Sequence, residues 1–194
     1  MIKKVFVTGP DGFLGSHVVN ILLERGYQVK VFALRGKEGA MASHPEVEIV
    51  TGNVLNKIDC YRAVPGVDAV IHTAASTKTW PERSKMIKNI NYKGTLNMVH
   101  AAQHAKVKRF VHVGSANMFK PGTLEHPGNE LGEFVGGVFG LDYIDSKYKT
   151  HKKLILMAVR DGFPIVEICP TFMIGPNDHY MGTSRLVLAL MKHN

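Results

Sequence analysis

The stretch Thr8-Gly9-Pro10-Asp11-Gly12-Phe13-Leu14-Gly15 constrains the fold more than any other part of this chain. It joins a short apolar run, Lys4–Thr8, to Phe13–Glu24, where apolar residues recur at helical spacing and stop at Gly26. Its glycines fall as G-x-x-G-x-x-G rather than the more familiar G-x-G-x-x-G. The physics is the same in both. One glycine makes the tight turn after the strand, one lets backbone N–H groups approach a pyrophosphate, and one lets the helix pack close to the sheet. The helix N-terminus behind the turn offers unpaired donors and a partial positive charge to an anion. Glycines are also common in ordinary strand-to-helix turns, and Asp11 could act only as a helix cap. The strand before and the helix after are nevertheless the context that a dinucleotide turn requires. Gly9, Gly12, Phe13, Leu14 and Gly15 are therefore expected to bind a dinucleotide.

Strand and helix patterns alternate from the first residue. Strands are expected at Lys4–Thr8, Val29–Leu34, Val47–Thr51, Ala69–His72, Phe110–Val113 and Ile165–Ile168. Helices are expected at Phe13–Glu24, near Ile58–Val64, over roughly Ser84–Ala105, and over Tyr143–Arg160. An irregular Gly-rich stretch, Pro121–Gly140, precedes the last of these, and Ser184–His193 also reads as helical. Strands of continuous Val, Ile and Phe separated by such helices imply a parallel sheet covered on both faces. The expected fold class is α/β: a doubly wound parallel sheet in three α/β/α layers. With 194 residues, 45% of them hydrophobic, one well-formed core is expected and two full domains are not. Residues 1–194 read as a single dinucleotide-binding domain, with the start of an incomplete substrate-binding region from about 171.

The second chemical signal is Tyr143-Ile144-Asp145-Ser146-Lys147. Tyr143 and Lys147 stand at i, i+4, on one face of a helix. A free phenol titrates near ~10, and a neighbouring ammonium favours the phenolate. Lys147 can also reach the ribose hydroxyls of a nicotinamide cofactor. Tyr148 and Lys152 repeat the spacing, but the first pair is preferred because Ser146-Lys147 follows its tyrosine. Ser115, in Val113-Gly114-Ser115-Ala116, follows the fifth strand at the carboxyl end of the sheet, where a ligand crevice opens. It is the candidate to hold a substrate carbonyl oxygen.

The cofactor's phosphorylation state is read from the second strand. No Asp or Glu lies in Val29–Arg35 to hold a ribose 2′-OH, while Lys30, Arg35 and Lys37 are nearby. A missing carboxylate removes repulsion against a 2′-phosphate, and Arg35 could pair with it bidentately. NADP(H) is favoured, with NAD(H) possible.

Other signals are weaker. The net charge of +8 is scattered, without ribonucleoprotein or zinc-finger patterns, so no nucleic-acid partner is expected. No segment approaches the ~18 continuous apolar residues of a membrane span, and the apolar start ends too early for a signal peptide. No membrane association and a cytoplasmic location are expected. Cys60 and Cys169 read as reduced, buried thiols. His100 and His104 share a helix face without a third ligand, so no metal is expected. Trp80 and the nine methionines read as core or loop packing.

Along almost its whole length the chain resembles the extended short-chain dehydrogenase/reductase family, also described as the NAD-dependent epimerase/dehydratase superfamily. Besides the glycine turn and YIDSK, the motifs are Gly52-Asn53-Val54, His72-Thr73-Ala74-Ala75, Asn91-Tyr92-Lys93-Gly94-Thr95 and Pro170-Thr171-Phe172-Met173-Ile174-Gly175-Pro176. Glu24-Arg25-Gly26-Tyr27 and the Pro-Thr-x-x-x-Gly-Pro run resemble the dihydroflavonol-4-reductase-like branch. The resemblance implies a catalytic triad of Ser115, Tyr143 and Lys147. It implies that Asn53 and Val54 lie near adenine, Ala74 and Ala75 along the cofactor, and Pro170 and Met173 near nicotinamide. Asn91 would brace the sheet from its helix. Three positions depart from the family pattern: Asn53 replaces an Asp, Gly114 replaces a serine, and Phe172 stands where nucleotide-sugar enzymes carry Asn. The family continues beyond this length to build a substrate lid, so that part is expected to be truncated or missing here.

The expected activity is hydride transfer between NADPH and a small carbonyl or alcohol substrate, with Tyr143 as proton donor. Two alternatives stand beside it: a nucleotide-sugar epimerase or dehydratase holding NAD, and a non-catalytic NADP-binding sensor or interaction module. A homodimer could pair the helices Ser84–Ala105 and Tyr143–Arg160 in a four-helix interface.

Overall fold

The computed structural model describes residues 1–36, 44–176, 178 and 184–192. Its strands are β1 (Lys4–Thr8), β2 (Gln28–Ala33), β3 (Val47–Thr51), β4 (Ala69–His72), β5 (Arg109–Val113) and β6 (Ile165–Ile168). All pair in parallel, in the order β3-β2-β1-β4-β5-β6. The chain reverses its direction of travel across the sheet between β1 and β4, so a crevice opens at their carboxyl ends. The helices are α1 (Phe13–Glu24), α2 (Lys57–Ala63), α3 (Lys85–Lys88), α4 (Thr95–His104), α5 (Asp142–Asp161) and α6 (Ser184–Lys192).

Alternation along β1 explains the layering. Phe6 points to one face, where it joins Val70, Met98, Phe110, Leu154 and Met157 under α4 and α5. Val5 and Val7 point to the other and pack with Val19 of α1, Val29 and Val31. Central strands are buried on both faces, hence their continuous apolar sequence. The edge strands β3 and β6 are only half-buried, and Val166 and Ile168 of β6 remain exposed.

Three expectations need correction. The helix expected over Ser84–Ala105 is interrupted: between α3 and α4 lies a π-helical segment, Asn89–Gly94. There the Asn91 carbonyl accepts the Thr95 hydroxyl at 2.8 Å and, at 3.1 Å, the longer branch of the Thr150 hydroxyl, which donates to Ser146 O at 2.8 Å. Trp80 is exposed on its loop rather than packed, and Cys169 is only partly buried, unlike Cys60. A 3-10 turn forms at Ala116–Met118 before the irregular stretch and another at Gly136–Phe139 within it, and Phe119 bridges Phe134.

The glycine turn divides its labour unequally. Gly9 has φ +69°, and a Cβ there would lie 2.9 Å from the Ala74 Cα. At Gly15 a Cβ would stand 2.0 Å from the Gly9 carbonyl oxygen, so α1 crosses β1 with no room for any side chain. At Gly12 the nearest atom is 3.4 Å away, an ordinary contact, which leaves that side of the turn open. Gly15→Ala should therefore cost about 2–3 kcal/mol by forcing the helix off the strand. Gly12→Ala should cost less than about 1 kcal/mol. Urea denaturation of the two variants checks the difference; equal losses would refute this account of the turn.

Candidate active site

The phosphate turn sits at the carboxyl end of β1, at the reversal point. Gly12 is the N-cap of α1 in extended backbone conformation and supplies no side-chain cap, and a helix N-terminus in this position favours an anion. The turn is held from below: Gly9 N donates to Phe32 O at 3.2 Å, and the Thr73 hydroxyl donates to Thr8 O at 2.6 Å. From the other side, the Ala74 amide donates to the Thr8 hydroxyl at 3.1 Å. Ala74 and Ala75 thus continue the same rim. Phe13 meets His17 edge-on, Gly175 lies against the Phe13 ring, and His17 Nε2 lies 2.9 Å from the Pro176 carbonyl. The segment after β6 therefore reaches back over the start of α1.

Ser115 follows β5, Lys147 of α5 reaches the end of the same strand, and Tyr143 precedes Lys147 by one turn of α5. Ser115 is buried just past β5, where its hydroxyl accepts the Asn117 amide at 3.3 Å. Lys147 is 3% exposed, and its Nζ donates to the Val113 carbonyl at 2.7 Å, two residues before Ser115. Burial pushes the Lys147 ammonium down to about 8, opposed by the nearby Glu167 charge and Cys169. Tyr143 is one turn earlier on α5 and half-buried. The competing pair is occupied otherwise: Tyr148 lies flat on Phe134 at 3.8 Å, and Lys152 covers its ring at 5.0 Å. Geometry separates two tyrosines that spacing could not.

The start of α5 is fixed by charge. Leu141 provides no side-chain cap, but Asp142 and Asp145 stand in the first turn, where the helix dipole favours anions. Asp142 is buried, and accepts from Arg83 at 3.0 Å, Lys88 at 2.9 Å and the Ser84 amide at 2.6 Å. Burial opposes its ionisation, but these three partners overcome it and hold the carboxyl below its usual range. The next turn is fixed by Ser146, whose hydroxyl donates to Tyr143 O at 2.9 Å and accepts from Asn91 Nδ2 at 3.1 Å.

Beneath the site runs a polar row absent from the sequence reading. Thr8, His72, His112 and Glu167 occupy paired positions on β1, β4, β5 and β6, and so share one face of the sheet. Thr95 gives its single hydroxyl hydrogen to Asn91 O, so His72 Nε2 must donate to Thr95 Oγ1 across 3.1 Å. His72 Nδ1 then accepts from the Thr8 hydroxyl at 2.8 Å. Burial and the Lys147 charge hold His72 down to about 3, so it is neutral in the folded protein.

Two cavities stand out. One of about 840 Å³ is lined by Ala116, Phe119, Val135, Leu141, Ile144 and Cys169 among others; Ala116 and Ile144 are the chain neighbours of Ser115 and Tyr143, which are not themselves among its lining residues. Thr171 also lines it, and Pro170 O accepts the Ala116 amide at 3.0 Å. Met173 is half-buried further along the same segment. The second cavity, about 510 Å³, lies at the carboxyl ends of β2 and β3 and is lined by Arg35, Gly52, Asn53, Asp59 and Arg62 among others. Asn53 folds its own side chain into a turn: Oδ1 accepts the Leu55 amide at 2.9 Å, while its backbone amide donates to Asp59. Val54 turns inward against the core and Gly94. Lys37 lies outside the described residues. Arg62 and Cys169 were missed as cavity-lining residues; only the tertiary arrangement of α2 and β6 reveals them. Among the described residues, no cluster of three or more His, Cys, Asp or Glu could hold a metal, and no helix is long and apolar enough to cross a membrane.

A doubly wound parallel sheet with a glycine turn at its reversal point is the architecture of the dinucleotide-binding class of proteins. Residues 5–194 match the NAD dependent epimerase/dehydratase family, and the chain belongs to that family. It is 32% identical over 187 residues to a 3-beta-hydroxysteroid dehydrogenase of Mycolicibacterium neoaurum, covering 93% of this chain and 50% of the relative. A Synechocystis protein provisionally named dihydroflavonol 4-reductase is 30% identical over 179 residues, covering 92% of this chain and 51% of its own. The Bordetella bronchiseptica enzyme WbmH, solved in complex with NAD+, is 27% identical and superposes with a TM-score of 0.75 over 100% of this chain and 64% of its own. The chain spans about half the length of the curated relatives it matches. The family expected from the motifs is thus the family found.

The buried histidine makes stability depend on acid. Unfolded, His72 takes up a proton near 6.5; folded, it stays neutral to about 3. The stability present above 6.5 is therefore lost progressively as pH falls. Between pH 7 and 5 this group alone should remove about 2 kcal/mol. Urea denaturation at the two pH values should show that loss in the native chain and a smaller loss in His72→Gln; an unchanged pH dependence would refute it.

Proposed function

We propose that this chain is the dinucleotide-binding and catalytic part of an NADP(H)-dependent dehydrogenase or reductase acting on a bulky apolar alcohol or ketone. The observation that carries this reading is the buried Lys147 ammonium, anchored on Val113 O two residues before Ser115 and one helical turn from Tyr143, while Ala116 and Ile144, the next residues in the chain, line the large cavity. The α1 N-terminus behind the glycine turn and the open side of Gly12 fit a diphosphate. When bound, the nicotinamide supplies or accepts hydride.

The chain's own residues do the rest. Tyr143 gives its proton to the oxygen of the reduced carbonyl, or removes it in the reverse direction. Lys147 stabilises the phenolate left behind and holds the ribose. Ser115 donates its hydroxyl to the carbonyl oxygen and so favours charge developing there. Ala74 and Ala75 border the dinucleotide, with Asn53 and Val54 toward adenine and Pro170 and Met173 toward nicotinamide.

The cavity's apolar walls support a fused-ring substrate, the class named in the steroid dehydrogenase relative, over a sugar nucleotide. Lys120 is the one cation lining it among the described residues, which is little for a diphosphate. Phe172 agrees with this. At the opposite end, Arg35 and Arg62 line the groove where a ribose 2′-phosphate would lie, which favours NADP(H) over NAD(H). A homodimer is supported by exposed Met86, Ile155, Leu156 and Val159 on α3 and α5. Sedimentation as a monomer at micromolar concentration would count against it. The two free thiols suit a reducing, cytoplasmic compartment; a disulfide found in the purified protein would argue otherwise.

Two measurements test the reading. Fluorescence titration should show NADPH binding more tightly than NADH, and Arg35→Ala should weaken NADPH by about tenfold or more while sparing NADH. Turnover of 3-ketosteroids and dihydroflavonols should fall about 10²–10⁴-fold in Tyr143→Phe with NADPH affinity retained. Full turnover in that variant would defeat the assignment, and Tyr148→Phe serves as the control.

A further inference from the structure

The polar row beneath the site ends in groups that the proposed chemistry leaves unused. Glu167 Oε2 accepts from His151 Nδ1 at 2.5 Å, with the two side chains only 11% and 14% exposed. Its other oxygen, Oε1, is 3.6 Å from His112 Nε2, too far for a hydrogen bond. Glu167 Oε1 and both His112 ring nitrogens are buried without hydrogen-bond partners. A Cβ on Gly114 would stand 2.7 Å from Glu167 Oε1, so the carboxylate lies directly beneath the Val113-Gly114-Ser115 turn that receives Lys147. No residue with a side chain could separate the two at that point.

We propose that Glu167 is a positioning residue of this site, whose buried carboxylate is the counter-charge that keeps Lys147 an ammonium, directed at Val113 O and presented to Tyr143 and the cofactor ribose. The proposal rests on the reading of Lys147 given above. Among the described residues, the other titratable groups around Lys147 are held uncharged. His72 on β4 and His112 on β5 face Lys147 and are held neutral by burial. Cys169, just past β6, is pushed up to about 11 by burial and stays a thiol. From α5, Tyr143 stands one turn away and His151 is spent on Glu167. Among the described residues, Glu167 is the one carboxylate whose charge reaches Lys147. An uncompensated ammonium in this setting would shed its proton. His151 completes the device by clamping one carboxylate oxygen from α5, the helix that carries Lys147.

The test follows the lysine directly in protein labelled with 13C-lysine and 13C-glutamate. The Lys147 13Cε signal is assigned by its loss in Lys147→Met. In the native chain its midpoint is expected near 8. Glu167→Gln should move that midpoint down by about one unit, so the charge is lost at lower pH. Glu167→Asp should restore most of it. His151→Gln, which keeps the carboxylate, should move it by less than half as much. A purely structural role for Glu167 would leave the midpoint where it is, and that result overturns the proposal. Should Glu167→Gln fail to fold, the native chain decides: the Lys147 signal must show a second inflection where the Glu167 13Cδ signal titrates, and its absence overturns the proposal equally. NADPH titration of the same samples separates the two readings. If Lys147→Met binds NADPH as well as the native chain, the cofactor role of Lys147 fails even where the coupling to Glu167 stands.

Discussion

The buried amide of Asn91 joins three segments that are distant in sequence, and the geometry of the rim follows from that junction. Its side chain accepts the Ser76 amide at 2.8 Å, donates to Ser76 O at 3.0 Å and donates to the Ser146 hydroxyl at 3.1 Å. Its carbonyl takes the hydroxyls of Thr95 and Thr150. Each bond contributes only about 1 kcal/mol net, but leaving one of these buried groups unpaired would cost about 1–3 kcal/mol. That carbonyl lies in the π turn, where it meets both hydroxyl donors. Ser146 lies between Tyr143 and Lys147, so tying it to Asn91 sets the height and rotation of α5 against the end of β4. The relation between the proposed proton donor and the dinucleotide rim is thereby fixed by an amide that touches neither.

Much of this was legible in the sequence because it is local. The glycine spacing, the continuous apolar strands and the Tyr-Lys offset each report on neighbours within a few residues, and the six strands stand within a residue or so of where their patterns put them. The π turn was not legible: Asn89–Gly94 has ordinary helical spacing, and the hydroxyls that meet its Asn91 carbonyl come in part from α5, far along the chain. Nor could spacing decide between Tyr143 and Tyr148, since the deciding feature is Phe134 stacked on the latter. The row Thr8, His72, His112 and Glu167 was invisible for the same reason. Each member reads as a lone polar residue in an apolar strand, and only the parallel register aligns them.

Burial of that row is costly, and the cost falls where chemistry is proposed. His72 and His112 are kept neutral, Lys147 is driven toward deprotonation, and Glu167 is pushed up by its apolar surroundings against the help of His151 and Lys147. A core of valines and leucines in the same positions would fold more stably. Such a core would also leave Lys147 as a lone buried charge, which is harder to sustain than a compensated pair. The polar row therefore belongs with the site above it rather than with the packing around it.

One short segment links the two ends of the rim. At its start, Pro170 O receives the Ala116 amide next to Ser115, and Thr171 lines the large cavity. At its end, Gly175 rests on the Phe13 ring and Pro176 O meets His17, over the first turn of α1. The proposed substrate pocket and the proposed diphosphate site are thus walled by the same few residues, with prolines at both ends restricting the backbone. A ligand that displaced Pro176 from His17 would disturb the wall that shapes the pocket at Thr171. Any coupling between the two proposed sites would therefore run through these seven residues.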